Sequence, residues 1–360
     1  MNTLAGSAAE PPLPAASRVR WLAALLLVLS LLALAWGASV GSTGFDSVLR
    51  VRDDAAAAQI VWNIRLPRTL GAWLAGALLA LAGAVAQGLF RNPLADPFLL
   101  GSASGAALAV ALALAYAALG AGGLAAGGGS VLLLQAATPW LARMGLTGAA
   151  FLGALGGVLL ALALARGVQQ TLRLLLAGVV VGFVLGAVRD LVQLAQPDVL
   201  QAMQGFTLGM TGFVGWDGCA VMAAVLAPLL LLSWALARVL DALTLGESTA
   251  LSLGLPLASL RALLVGVLAL ATGAAVAQTG LIGFVGLVAP HLARSMVRCT
   301  HGPLLLLSTL AGGLLLVLAD IVARLLVAPQ ELPVGVLTAV LGGAYLFWLM
   351  GRRPGAGGAA

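Results

Sequence analysis

Between Arg68 and Arg91 no side chain carries a charge, and the same is true between Arg261 and Arg294. Runs of that length cross a bilayer as helices: about 20 apolar residues span the hydrocarbon core, and a helix satisfies its own backbone where no water can. Only 8% of the 360 residues are charged, against 62% hydrophobic, whereas a soluble domain carries about a quarter charged residues. That leaves too little polar surface to cover a water-facing body, so lipid is the solvent for most of the chain. The 47 glycines agree, since small residues let membrane helices approach closely. The expected fold is all-α and polytopic.

The apolar runs divide into about ten spans, at 20–38, 66–88, 95–118, 147–165, 173–194, 217–238, 261–279, 281–298, 303–325 and 333–350. Glycine and proline interrupt 95–118 and 281–298, which are the least regular. Val131–Leu141 is short for a span and reads as a re-entrant or interfacial helix on the outer side. Residues 1–17 are small and Pro-rich and read as a disordered tail; 18–352 form one membrane domain, and 353–360 a second tail. Ala38-Ser39-Val40-Gly41 is mildly cleavable, but removing the first span as a signal peptide would deprive the following spans of a partner.

An even number of spans puts both termini on one side. That side collects Arg18, Arg20, Arg91, Arg166, Arg173, Arg238, Arg261, Arg294, Arg298, Arg352 and Arg353. The other side holds Arg50, Arg52, Arg65, Arg68, Arg143, Arg189 and Arg324. The excess of positive charge places the termini in the cytoplasm. Spread over so many loops, the net charge of +6 is orientation and not a nucleic-acid patch.

All 18 basic residues are arginine. Without lysine the chain can build neither a Walker phosphate loop nor a Schiff base, so any ATP hydrolysis belongs to another subunit. His291 and His301 are too few for a Ser/His/Asp set or a metal site, and no catalytic residue is assigned. Cys219 and Cys299 make no disulfide framework. The topology puts Cys219 near the outer face and Cys299 near the inner one, so an impermeant thiol reagent should reach Cys219 more readily.

Several polar stretches interrupt this pattern. Arg65 and Arg68 stand at the outer start of the second span, and Arg324 at the outer end of the ninth. Guanidinium forks suit carboxylates on a soluble partner, and equally the phosphates of lipid headgroups. In Arg91–Pro97, Asn92 can cap and Pro93 can open the next helix. In Leu245–Pro256, Ser248 through Leu253 can form a short helix that Glu247 favours at its start and Gly254 stops; it is a connector or a seat. Gly280, Gly283 and Gly286 are spaced by three, which suits a smooth helix face, and Pro290 kinks or breaks the helix late. Asp320 and Arg324 are four apart and able to pair, and Glu331-Leu332-Pro333 opens the last span.

In this order and at these spacings, over about residues 45–350, the stretches resemble those of the FecCD-type permeases, the membrane subunits of ABC importers for iron-siderophores, haem and cobalamin. The resemblance implies a type II ABC importer permease fold in the bacterial inner membrane, working as a homodimer by alternating access with no cofactor of its own. It implies that Arg65, Arg68 and Arg324 meet glutamates of an extracytoplasmic binding protein, and that Asn92 and Leu94 form the cytoplasmic gate. Two ATPase subunits would seat on Gly246, Glu247, Ser248, Ala250, Leu253 and Gly254. Two differences stand out: 119–146 is the least similar stretch, and Gly343-Ala344-Tyr345 occupies the place of the family's small residue and proline. An iron chelate is the expected cargo, from the most populous branch of the family, with cobalamin the alternative. The rival class is an ion-coupled secondary transporter, which places acidic residues in mid-span. Here Asp190 and Asp320 sit near outer ends, beside Arg189 and Arg324.

Overall fold

The computed structural model describes residues 15–41, 44–45, 55–122, 139–167 and 171–351. Arg50, Arg52, Arg352 and Arg353, most of the two expected tails and residues 131–138 of the expected re-entrant segment lie outside the described residues.

The chain begins with α1 (Ala15–Ser39) and the hairpin β1 (Val40–Gly41) and β2 (Gly44–Phe45), then α2 (Ala55–Ile60), which continues through a π-turn at Val61–Arg65 into α3 (Leu66–Phe90). Pro67 sits in the first turn of α3, where its missing N–H breaks no helical bond. There follow α4 (Ser102–Gly122), α5 (Pro139–Ala165), α6 (Thr171–Ala195), α7 (Pro197–Leu208) and α8 (Trp216–Ala235). Two short helices, α9 (Ala237–Thr244) and α10 (Glu247–Ser252), precede α11 (Leu257–Thr279), α12 (Val285–Met296), α13 (His301–Leu325) and α14 (Val334–Gly351). Among the described residues, seven helices are long and apolar enough to cross a membrane, and the apolar runs Ser102–Ala118 and Val334–Leu349 are shorter.

The axis of the bundle is α3. Its residues are alanine, glycine and leucine on every side, and it is buried along almost its whole length, as a helix apolar all round must be. The helix α13 runs antiparallel to it: Arg68 meets Asp320 at one end, Gly76 crosses Gly312 in the middle, and Gly88 lies against His301 at the other. A side chain at Gly76 would run into the Gly312 carbonyl. By contrast, α6 leaves Leu172, Phe183 and Leu194 exposed.

Four expected spans are redrawn. The stretch 281–298 is helical only from Val285 to Met296, 12 residues or about 18 Å, too short to cross alone. Residues 280–284 lead into it as non-helical backbone, held by Leu281 N–H to the Phe206 carbonyl at 2.9 Å. Helix and lead-in together return the chain from the end of α11 to the start of α13. The expected glycine face is therefore not one face: Gly280 has a φ of +69° and Gly283 lies in the lead-in, leaving Gly286 to pack in the helix. Pro290 lies inside α12, which continues past it. The span expected from 95 starts at Ser102, after a 3₁₀ turn at Pro97–Leu100, and the span expected to run to 238 ends at Ala235. The helix α5 begins at Pro139, taking in part of the segment expected to re-enter.

Candidate functional site

Polar chemistry collects at the two ends of the bundle. At the end marked by Arg68, Asp320 is fully buried and accepts from Arg68 Nη2 at 3.1 Å, from Thr211 Oγ1 at 2.5 Å and from Arg324, its partner one turn on. Arg68 also holds both Glu331 oxygens, at 2.9 and 2.8 Å. Arg324 further donates to the Gly37 carbonyl at 2.9 Å, to the Val40 carbonyl at 3.2 Å and to Thr69 Oγ1 at 3.1 Å. Two guanidinium groups thus face two carboxylates, and the cluster ties α3, α13, the end of α1 and the loop before α8 together. Charges taken from water persist only when paired and hydrogen-bonded in this way.

This placement alters the expectation for the outer arginines. Arg324 is 1% exposed, and its partners are all internal, so it closes the bundle and presents no charge outward. Arg65 and Arg68 are 7% and 8% exposed; Arg65 reaches the Ser39 carbonyl at 3.4 Å. Of the charged side chains in this cluster, Glu331 is the one open to solvent, its side chain 34% exposed. Cys219, expected to be reachable from outside, is buried, its thiol against the Pro67 carbonyl at 3.1 Å.

At the other end, the turn after α3 starts with Arg91 in the left-handed region (φ 51°). Asn92 does not cap a helix. Its side chain accepts from Leu94 N–H at 2.9 Å and stiffens the turn, leaving Leu94 exposed. Asp96 caps the 3₁₀ turn by accepting from Phe98 N–H at 2.8 Å. Burial pushes its pKa up to about 6, against the pull of that N–H.

The segment 245–256 folds as expected. Gly246, at φ +107°, makes the turn that only glycine takes easily, Glu247 opens α10, and Gly254 ends it at φ +75°. Ala250 is the buried anchor, while Leu245, Leu251 and Leu253 are exposed, Leu253 by 62%. Ser248 lies in the first turn of α10. Three exposed leucines around a short polar helix make a surface suited to another protein. Glu247 Oε1 is 2.8 Å from Arg261 Nη1, and this partner holds its carboxyl below the ordinary value, helped by the charge of Arg91.

Sequence reasoning missed several of these contacts. Arg261 was only one basic residue among eleven, and Glu331 only a helix opener. His301, for which the sequence suggested no partner, holds Asp241 at 2.7 Å through Nδ1 and at 3.0 Å through its backbone N–H, pinning α9 to α13. Arg294 pairs with Gln87, joining α12 to α3. His291 packs edge-on against Tyr345, ring centroids 5.8 Å apart. Among the described residues, the side chains gathered at either end are ion pairs and hydrogen-bonded turns, with no nucleophile held against a base.

A bundle of apolar helices, locked by buried charge pairs at one end and carrying an exposed short helix at the other, is the architecture of a membrane permease subunit. The chain belongs to the FecCD transport family, whose model matches residues 23–352. It is 39% identical over 335 residues to the hemin transport system permease protein HmuU of Yersinia pestis, covering 91% of this chain and 94% of that one. It is 42% identical over 336 residues to the vitamin B12 import system permease protein BtuC of Salmonella schwarzengrund (strain CVM19633), covering 92% and 95%. Among solved structures, a metal-chelate type ABC transporter in an inward-facing conformation superposes with a TM-score of 0.78 at 28% identity, covering 94% of this chain and all of that one. PsaBC from Streptococcus pneumoniae shares the fold, at a TM-score of 0.53 and 18% identity over 85% of this chain and 96% of that one. The protein is the permease subunit of a type II ABC importer, and a multi-pass membrane protein.

Proposed function

We propose that two copies of this chain form the path by which an iron chelate, haem or a ferric siderophore, enters the bacterial cytoplasm by alternating access. Two ATPase subunits sit on Gly246–Gly254 and its exposed leucines, and a binding protein delivers the ligand at the Arg68 end. The observation that carries this reading is the short helix α10, set between the glycine turns at Gly246 and Gly254 with Leu245, Leu251 and Leu253 exposed, in a chain that has no lysine for a phosphate loop of its own. Both termini lie in the cytoplasm, and Asn92 and Leu94 stand at the inner gate.

Docking at the outer end uses Arg65 and Arg68. Glu331 covers Arg68, so an incoming carboxylate takes the place of Glu331 when the binding protein seats. The hemin permease relative supports haem as cargo; the B12 permease relatives support cobalamin as the alternative. Against an ion-coupled mechanism stands Asp320, an acid buried among the spans, which is neutralised on both sides by arginine.

The test is reconstitution in proteoliposomes with the ATPase and the binding protein, titrated with hemin, a ferric siderophore and cobalamin. Stimulation of ATP hydrolysis by an iron chelate, dependent on binding protein, is the expected result. Stimulation by cobalamin alone selects the alternative, and uptake under an ion gradient with no ATPase bound overturns the importer reading.

A further inference from the structure

We propose that Arg261 is a positioning residue that links the ATPase seat to the outer end of the permease, with α11 as the rod between them. This rests on the importer reading above. Between α10 and α11 the backbone turns at Gly254 (φ +75°) and Pro256. Such a bend transmits little by itself. The Glu247–Arg261 bridge, 2.8 Å long, bypasses it and fastens the first residue of α10 directly to the first turns of α11. Arg261 is buried at the root of that helix, so the bond is held in one place.

From Arg261 to Thr279 the helix α11 runs without proline, a rise of about 27 Å. Its far end is bound by backbone hydrogen bonds. The Thr279 carbonyl accepts from Met210 N–H at 2.8 Å, Leu281 N–H donates to the Phe206 carbonyl at 2.9 Å, and Gly335 N–H donates to the Gly209 carbonyl at 3.1 Å. A shift of α11 therefore carries the end of α7 and the start of α14 with it. Phe206, Met210, Gln278 and Thr279 line a cavity of about 260 Å³ at this crossing.

The neighbouring route leads elsewhere. Asp241 and His301 pin α9 to α13, but the far end of α13 is locked in the Arg68–Asp320–Arg324 cluster. One fastening of the seat thus reaches a fixed helix, and the other reaches a helix whose outer end can move with α7.

The experiment uses the complete complex in proteoliposomes, with both native cysteines replaced by serine and a nitroxide at Gln204→Cys on the exposed side of α7. The readout is the change in spin-label mobility on adding ATP with vanadate, alongside co-purification of the ATPase subunit. With Arg261 present, the label should respond. Arg261→Gln should reduce the response by about fivefold or more, the scale of an ordinary coupling energy, while the ATPase still co-purifies; Arg261→Lys should recover much of it. An undiminished response in Arg261→Gln overturns the proposal. So does loss of the ATPase from both variants, which would make the bridge part of the seat and not a link. If the complex with native Arg261 fails to retain an ATPase at all, it is the importer reading that falls.

Discussion

Arg68 of α3 and Asp320 of α13 lie 252 residues apart in sequence and meet at 3.1 Å, with the carboxylate shielded from solvent. Around this contact Arg324, Thr211 and Glu331 complete a cluster in which each buried charge has an opposite at hand.

Replacing Asp320 by alanine leaves two guanidinium groups facing each other at the buried end. Breaking a buried ion pair from one side costs about 3–5 kcal/mol. The purified protein should show a large fall in thermal midpoint in detergent. Glu331→Gln, at the half-exposed rim, should cost about 1 kcal/mol or less.

The helix crossings make a second prediction. A Cβ at Gly83 would strike the backbone of Gly286, which has no side chain to turn aside, so Gly83→Ala must push α12 off α3. Overpacking of this kind costs about 1–3 kcal/mol. Gly156 on α5 has nothing near its missing Cβ, and Gly156→Ala should stabilise by about 0.4–1 kcal/mol. Thermal midpoints of the two variants, moving in opposite directions, check the pair.

Asp96 ties stability to pH. Its pKa in the folded protein is raised from 3.8 to about 6, so the folded state holds the proton more tightly than the unfolded chain. The stabilising effect of that proton is complete below the ordinary pKa and is lost as pH rises towards 6. Thermal midpoints measured across this window should fall with rising pH. The fall should flatten in Asp96→Asn, which keeps the acceptor for Phe98 N–H but has no proton to lose.

The thiols report accessibility. Cys219 is buried against Pro67, and Cys299 is partly open between α12 and α13. An impermeant maleimide should leave Cys219 unlabelled in intact cells and in inverted vesicles alike. Cys299 should label in inverted vesicles only; labelling from the intact cell surface would reverse the assigned sides.

Much of this architecture was readable in the residues because its signals are local. Long uncharged runs mark α3, α11 and α13; Gly246, Glu247 and Gly254 mark α10; the four-residue spacing marks the Asp320–Arg324 pair. The partners of Arg68 were not readable, since Asp320 and Glu331 arrive from elements far along the chain. Hence the outer arginines read as surface groups when they are buried. The lead-in to α12 was hidden for a different reason. Apolar composition does not separate helix from extended backbone where tertiary partners such as Phe206 satisfy the peptide groups. Arg261 was hidden because its value lies in bridging a turn, which no motif records.

The central claim is that this chain moves its ligand on ATP hydrolysed by a partner seated on 245–256. The most direct measurement is uptake of labelled hemin into proteoliposomes carrying the full complex, with and without internal ATP, for the native chain and for Glu247→Arg. Uptake that requires ATP and is lost in Glu247→Arg is the predicted result. ATP-driven uptake that persists in Glu247→Arg, or uptake under an ion gradient with no ATPase bound, would contradict it.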